Sequence, residues 1–137
     1  MASATLIPCL VDGNYCELTV LPAGAVQVPQ RPGTFYTWDT AASAWVADIA
    51  PALLSLEQKV QQYLDQKAQA KGYDSAASCI SYLNSSNATW KADAIAMNTW
   101  RDDVWNFCFT NEASVKAGTT PLPTSTQLIA ALPAAPW

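Results

Sequence analysis

The clearest pattern of apolar and polar positions lies between Trp90 and Cys108. Three tryptophans join Ala, Met, Val and Cys residues on or near one apolar stripe, and charged residues occupy the flank beside it. The pattern predicts a long helix that begins near Asn87 and ends near Lys116, before Gly118. We interpret it as the helix that organises the fold, and not as a site of chemistry.

A second helical pattern follows Pro51. Residues Ser55 to Gln58 fit a capping box, in which the two end side chains would bond to free backbone N–H groups. Apolar residues then recur at helical spacing until Gly72, a typical residue just beyond a helix C-terminus. We therefore predict a helix that starts at this capping box and ends before Gly72.

Two shorter helices complete the helical part. Asp74 or Ser75 can cap a short helix that runs through Leu83. Residues 124–127 repeat the capping-box spacing, which predicts a final helix over residues 125–132.

The N-terminal part of the chain shows β patterns. Residues 5–20 place β-forming runs on both sides of Asp12-Gly13, a strong signal for a two-residue type I′ turn. This turn would place Cys9 directly opposite Cys16. Residues 22–33 carry three prolines and two glycines, and they are expected to form an extended connector.

A second hairpin is predicted over residues 34–47, with Trp38 and Trp45 as a cross-strand aromatic pair. The fold class is therefore α+β. A small β-hairpin attachment region, residues 1–50, precedes a helical domain, residues 51–137, with three to four short helices and a C-terminal tail. Two hairpins are too small to be stable alone, so the first region is expected to dock on the helices or on a partner.

Composition points toward a protein partner. Only 13% of the residues are charged, about half the usual fraction, and the net charge is −4. Clustered Lys and Arg residues are absent, so nucleic acid is an unexpected partner. No apolar run approaches the roughly 20 residues that span a bilayer, and no secretory signal is recognisable. A soluble protein made in the cytoplasm, which joins an oligomeric assembly, is expected.

Residue types argue against an enzyme. The sequence contains no histidine, which removes the commonest general base and most zinc sites. The four cysteines form no CxxC pair, and the five glycines form no phosphate loop, so neither a metal nor a cofactor is expected. A Cys9–Cys16 bridge is geometrically allowed, but a reducing cytoplasm favours free thiols.

The aromatic residues of the β part are the best candidates for a contact surface, and the alternative is that about half of them fill a small core. From this group we select Tyr36, Trp38 and Trp45 as interface residues. Trp137 ends a proline-broken tail, where it is either an anchor into a neighbouring chain or a disordered end.

A second set of residues is expected to hold the helices together. Among them, Arg101 can lie along an indole or pair with Asp65 or Asp74 of another helix. The predicted core residues are Leu64, Tyr73, Trp90, Trp100, Arg101, Val104 and Trp105.

Several segments carry a resemblance to a known group of proteins. They are VQQYLDQKA at 60–68, GYDS at 72–75, WRDDVW at 100–105 and PTSTQLI at 123–129, with PGTFYTWDTAASAWV at 32–46 upstream. In this order they resemble small tail-associated proteins of tailed bacteriophages, including tail fibre and tail fibre assembly proteins. The resemblance covers about residues 32–137.

The resemblance implies where the protein is located and does not imply a catalytic step. It implies a non-enzymatic accessory subunit of the tail fibre or baseplate, present in the virion and in the host cytoplasm during assembly. Two alternatives stay open: an assembly chaperone that leaves the mature particle, and a receptor- or glycan-binding module at the fibre end.

Overall fold

The computed structural model of the protein describes residues 4–137. Within this range, five strands in two small sheets precede four α-helices, so the predicted α+β class is confirmed. The chain divides into two compact units, the first ending at Asp48 and the second spanning Ile49–Trp137. The role of the first region in attachment stays a prediction.

The first sheet is antiparallel throughout and contains the strands β1 (Ile7–Val11), β2 (Asn14–Leu18) and β3 (Val26–Gln27), in the order β2-β1-β3. Asp12 and Gly13 both have positive φ, 50° and 78°, as a type I′ turn requires. The predicted register is confirmed, because Cys9 faces Cys16.

The second sheet is the predicted second hairpin, formed by β4 (Tyr36–Asp39) and β5 (Ala44–Ala47). Trp38 faces Trp45 across the two strands, so the predicted aromatic pair is confirmed. Asp39 shapes the connecting loop, because its Oδ1 accepts hydrogen bonds from the backbone N–H groups of the second and third residues beyond it, at 2.9 and 3.1 Å.

Helix α1 spans Ile49–Ala70, so the predicted start at a Ser55 capping box is wrong. Pro51 lies in the first turn, where its missing N–H has no helical acceptor to lose and its fixed φ suits the helix. Ala52 and Leu53 are buried, and their packing extends the helix upstream of Ser55.

The C-terminus of α1 is closed by Gly72, as predicted. Gly72 has φ +101°, and its N–H donates to the carbonyl of Gln69 at 2.9 Å. The N–H of Tyr73 reaches back to Ala68 O at 3.1 Å, which completes a Schellman motif.

The remaining helices follow the sequence signals closely. Helix α2 (Ala76–Ile80) is capped by Ser75, but it ends before the predicted Leu83, because a 3-10 helix follows over Ser81–Asn84. Helix α3 spans Ala88–Lys116, and helix α4 spans Ser125–Ala131 with the predicted capping box at Thr124.

The core of the second unit lies between α1, α2, α3 and α4. Leu64, Trp100 and Val104 are buried in it, while Tyr73 and Trp105 are half-buried and pack against it. The Tyr73 hydroxyl donates to Asp93 at 2.9 Å; burial and this bond raise the pKa of Tyr73 to about 12. These side chains therefore join α3 to the other helices.

Two residues predicted for the core have other roles. Trp90 is 48% exposed and lies beside Tyr82, because it occupies the first turn of α3, beyond the packed stripe. Arg101 bonds to Asn98 and Asp102 of its own helix, at 2.9 and 3.4 Å, and not to Asp65 or Asp74. Asp65 instead accepts the N–H of the first residue of α2.

The C-terminal tail packs on the helices, so the expectation of a disordered end at Trp137 is wrong, and a role for Trp137 as an anchor into a neighbouring chain stays a prediction. Its indole Nε1 donates to Lys67 O at 2.9 Å, and Lys71 Nζ lies 5.0 Å from the ring centroid. Lys67 belongs to the last turn of α1, where carbonyls lack helical partners. The Trp100 indole also donates to Pro133 O at 2.9 Å, so two indoles hold the tail.

We predict that Trp137→Phe lowers the free energy of unfolding of the second unit by about 0.5–1.5 kcal/mol, because an aromatic ring remains at the position while the indole N–H and its hydrogen bond are lost. Urea unfolding followed by circular dichroism of the helices measures this. Trp90→Phe is the matched control, since its N–H has no partner among the described residues and we expect a change within about 0.5 kcal/mol. Equal stability of the two variants would contradict the prediction.

Candidate functional site

A cleft of about 250 Å³ lies between the two sheets of the first unit. Strand alternation explains which side chains face it. Leu10 and Tyr15 are directly opposite each other in the first sheet and so share one face. Tyr36 and Trp38 are two residues apart on β4 and share the corresponding face of the second sheet. All four of these side chains line the cleft.

Trp45 is the residue that joins the two walls of the cleft. Its ring meets Tyr15 edge-on at a centroid distance of 5.2 Å and Trp38 at 5.3 Å. Its indole Nε1 donates to Pro29 O at 2.8 Å, in the proline-rich connector. One half-buried side chain therefore links both sheets and the segment between them.

Arg31 supplies the positive charge of the cleft. Its guanidinium carbon lies 4.8 Å from the centroid of the Tyr15 ring, a cation–π distance. Within residues 4–137, no carboxylate lies within ion-pair distance of this guanidinium. Arg31 is also the only basic residue among the first 50 of the sequence.

Tyr15 is fixed by hydrogen bonds on its hydroxyl. The hydroxyl donates to Glu17 Oε1 at 2.6 Å and accepts from the backbone N–H of Arg31 at 3.3 Å. The bond to Glu17, with burial as a smaller cause, raises the pKa of Tyr15 above its usual value. The phenol therefore stays protonated and holds its ring beneath the guanidinium.

Three of the four residues predicted for an interface come together here, because Tyr36, Trp38 and Trp45 all line the cleft and remain half-exposed. Trp137 belongs to the second unit and packs there. The sequence prediction missed Arg31, although its isolation as the only cation of its region was a usable signal.

A pair of thiols lies on the other face of the first sheet. Cys9 Sγ is 3.4 Å from Cys16 Sγ, and Cys9 is fully buried. Burial raises the pKa of Cys9, and the neighbouring thiol adds to the shift. Among the described residues, no three His, Cys, Asp or Glu side chains are grouped to hold a metal ion.

The second unit has a larger groove of about 500 Å³ between α1 and α4. It is an open surface of mixed character, lined on the α1 side by Lys59, Gln62, Tyr63 and Gln66 and on the α4 side by Ser125, Thr126, Ile129 and Ala130. These side chains do not form a convergent set of charges or rings. The aromatic cleft is therefore the stronger candidate site.

No protein-family model, curated protein or solved structure matches this chain. Across residues 4–137, no helix combines the length and the apolar character needed to cross a membrane. The candidate site is thus defined by its own geometry: aromatic walls, one unpaired cation and a polar rim.

We predict that Trp45→Ala unfolds the first unit more readily than Trp38→Ala. The Trp45 substitution removes two ring contacts and a hydrogen bond. We expect it to lower the free energy of unfolding by less than the roughly 3–5 kcal/mol found for a fully buried tryptophan. Trp38 loses one ring pair, worth roughly 0.5–1.5 kcal/mol. Amide hydrogen exchange of β1, β2, β4 and β5 measures the difference. Equal protection in the two variants would show that Trp45 does not join the sheets.

We also predict that oxidised glutathione at pH 8 links Cys9 to Cys16 within one chain. Opposed residues at a hydrogen-bonded strand position have Cα atoms about 5.5 Å apart, which suits a disulfide. Half-exposed Cys16 is the thiol that the reagent reaches. The two thiols lose two protons and two electrons in forming the bond, and the oxidised glutathione takes up both and is reduced to two glutathione thiols.

Cys79 and Cys108 should remain reduced in the same sample. Both are buried, which raises the pKa of each thiol, to about 11 for Cys108. Non-reducing mass spectrometry of digests locates the bridge, and Cys16→Ser is the control. Modification of Cys79 or Cys108 in the folded protein, without a Cys9–Cys16 bridge, would contradict this prediction.

Proposed function

We propose that the protein is a non-enzymatic structural subunit of a phage tail, bound to the tail fibre or the baseplate through its first unit. The observation that carries the proposal is the preformed aromatic cleft, whose walls are held in place by Trp45. Aromatic and arginine side chains are enriched at protein interfaces, because they bury a large area and lose little conformational entropy.

Exposed apolar side chains in the first unit support attachment to another protein. Val20, Val26 and Val46 are 74%, 57% and 50% exposed. In a unit whose sheets have only three and two strands, such residues leave apolar surface that a partner would cover. The second unit has its own packed core and supplies the body of the subunit.

The resemblance of residues 32–137 to tail-associated proteins supports the phage assignment, and the site geometry supports attachment. On this proposal the protein is made in the host cytoplasm and then incorporated into the virion. A chaperone role would instead require release after the fibre folds.

Protein identification in gradient-purified particles tests the proposal. We expect the protein at a fixed ratio to a fibre or baseplate protein, with chemical crosslinks from residues of the first unit. Trp38→Ala should reduce its incorporation at least fivefold, whereas Trp90→Ala, an equally drastic change on the second unit, should leave incorporation unchanged. Absence from mature particles, together with rescue of fibre solubility on co-expression, would replace the proposal with the chaperone role.

A further inference from the structure

Arg31 is a cation without a carboxylate partner at the wall of the aromatic cleft. An exposed arginine needs no partner, but this one is held against the Tyr15 ring, 4.8 Å from its centroid, and its backbone N–H bonds to the Tyr15 hydroxyl. The guanidinium is planar and presents several donors in a fixed fork that matches a carboxylate. Its position is therefore set before a ligand arrives.

The strand pattern leaves open backbone edges beside the same cleft. The β2-β1-β3 order leaves one side of β2 unpaired within residues 4–137, and β4 has β5 as its only neighbour there. The type I′ turn makes Val11 and Asn14 a hydrogen-bonded pair, so the next pair, Leu10 and Tyr15, is a non-hydrogen-bonded one. The backbone N–H and C=O of Tyr15 therefore point away from β1, toward the unpaired side of β2. An extended segment could therefore bond to an edge while its side chains enter the cleft.

The size of the cleft selects the kind of ligand. Its volume of about 250 Å³ is below the roughly 300–1,000 Å³ of sites that enclose drug-sized molecules. It is suited to one or two side chains of a longer segment, and its aromatic walls suit an apolar group next to the anion.

We propose that the cleft binds an extended, acidic peptide segment of the partner protein, with Arg31 bonded to an Asp or Glu carboxylate and an adjacent apolar side chain between Tyr36 and Trp38. This inference rests on the proposed function and names the chemistry of the partner. The other charged side chains of the first unit are acidic, and one of them, Glu17, accepts a hydrogen bond from the hydroxyl of the same Tyr15. They weaken long-range attraction, so recognition depends on close contact and on partial exclusion of water.

Binding to a positional-scanning array of pentapeptides tests the inference with the full-length protein. Each position is fixed in turn to one of the 20 amino acids while the others are randomised. We expect at least fivefold enrichment for Asp and Glu at one position, next to a preference for apolar residues. Arg31→Gln should abolish the acidic preference, and Lys91→Gln, the same charge change at an exposed site of the second unit, should keep it.

Three results would overturn the inference: no acidic preference, an acidic preference that survives Arg31→Gln, or binding to glucuronate-bearing glycans in preference to every peptide. The particle experiment is independent of this array. If the protein is present in particles but the array shows no acidic preference, the ligand chemistry is wrong and attachment stands. If it is absent from particles, attachment itself fails whatever the array shows.

Discussion

The structure depends on hydrogen bonds from tryptophan indoles to backbone carbonyls that secondary structure leaves unpaired. Proline-rich segments rarely pair in a ladder, because proline has no N–H to donate, and their carbonyls therefore lack ladder donors. The last carbonyls of a helix have no partner within the helix. Both kinds of carbonyl need a donor from another part of the chain. Each such bond is worth about 0.5–1.5 kcal/mol, and the attached ring adds apolar burial. The three bonds are Trp45 to Pro29, Trp100 to Pro133 and Trp137 to Lys67.

This arrangement fits a chain with few charges. The described residues form three ion pairs, two of them between neighbours on α3, so electrostatics contributes little to joining separate segments. Aromatic side chains take that role in both units. In the first unit they also remain half-exposed, and the same rings that join the sheets form the walls of the cleft. Stability and the proposed attachment thus draw on one set of residues.

Local signals in the sequence were sufficient for most elements. Turn chemistry at Asp12-Gly13 set the register of the first hairpin, and side-chain caps at Asn87 and Thr124 located two helix starts. The start of α1 was misplaced, because burial of residues upstream of Ser55 overrode a local capping pattern. Sequence spacing cannot reveal such tertiary effects.

The same limit applies to the candidate site. The aromatic pair on β4 and β5 followed from strand pairing, whereas the position of Arg31 over Tyr15 depends on how the connector folds back. The docking of Trp137 likewise depends on a contact 70 residues away along the chain. The periodicity of apolar residues cannot predict long-range contacts of this kind, although an isolated charge and a terminal aromatic residue indicate where they occur.

Hydrogen exchange of the six indole N–H groups, followed by NMR of the folded protein, tests the central claim most directly. The account predicts that the indole protons of Trp45, Trp100 and Trp137 exchange much more slowly than those of Trp38, Trp90 and Trp105. Uniformly fast exchange at all six indoles would contradict it, because the segments at Pro29, Pro133 and Lys67 would then be held by something else.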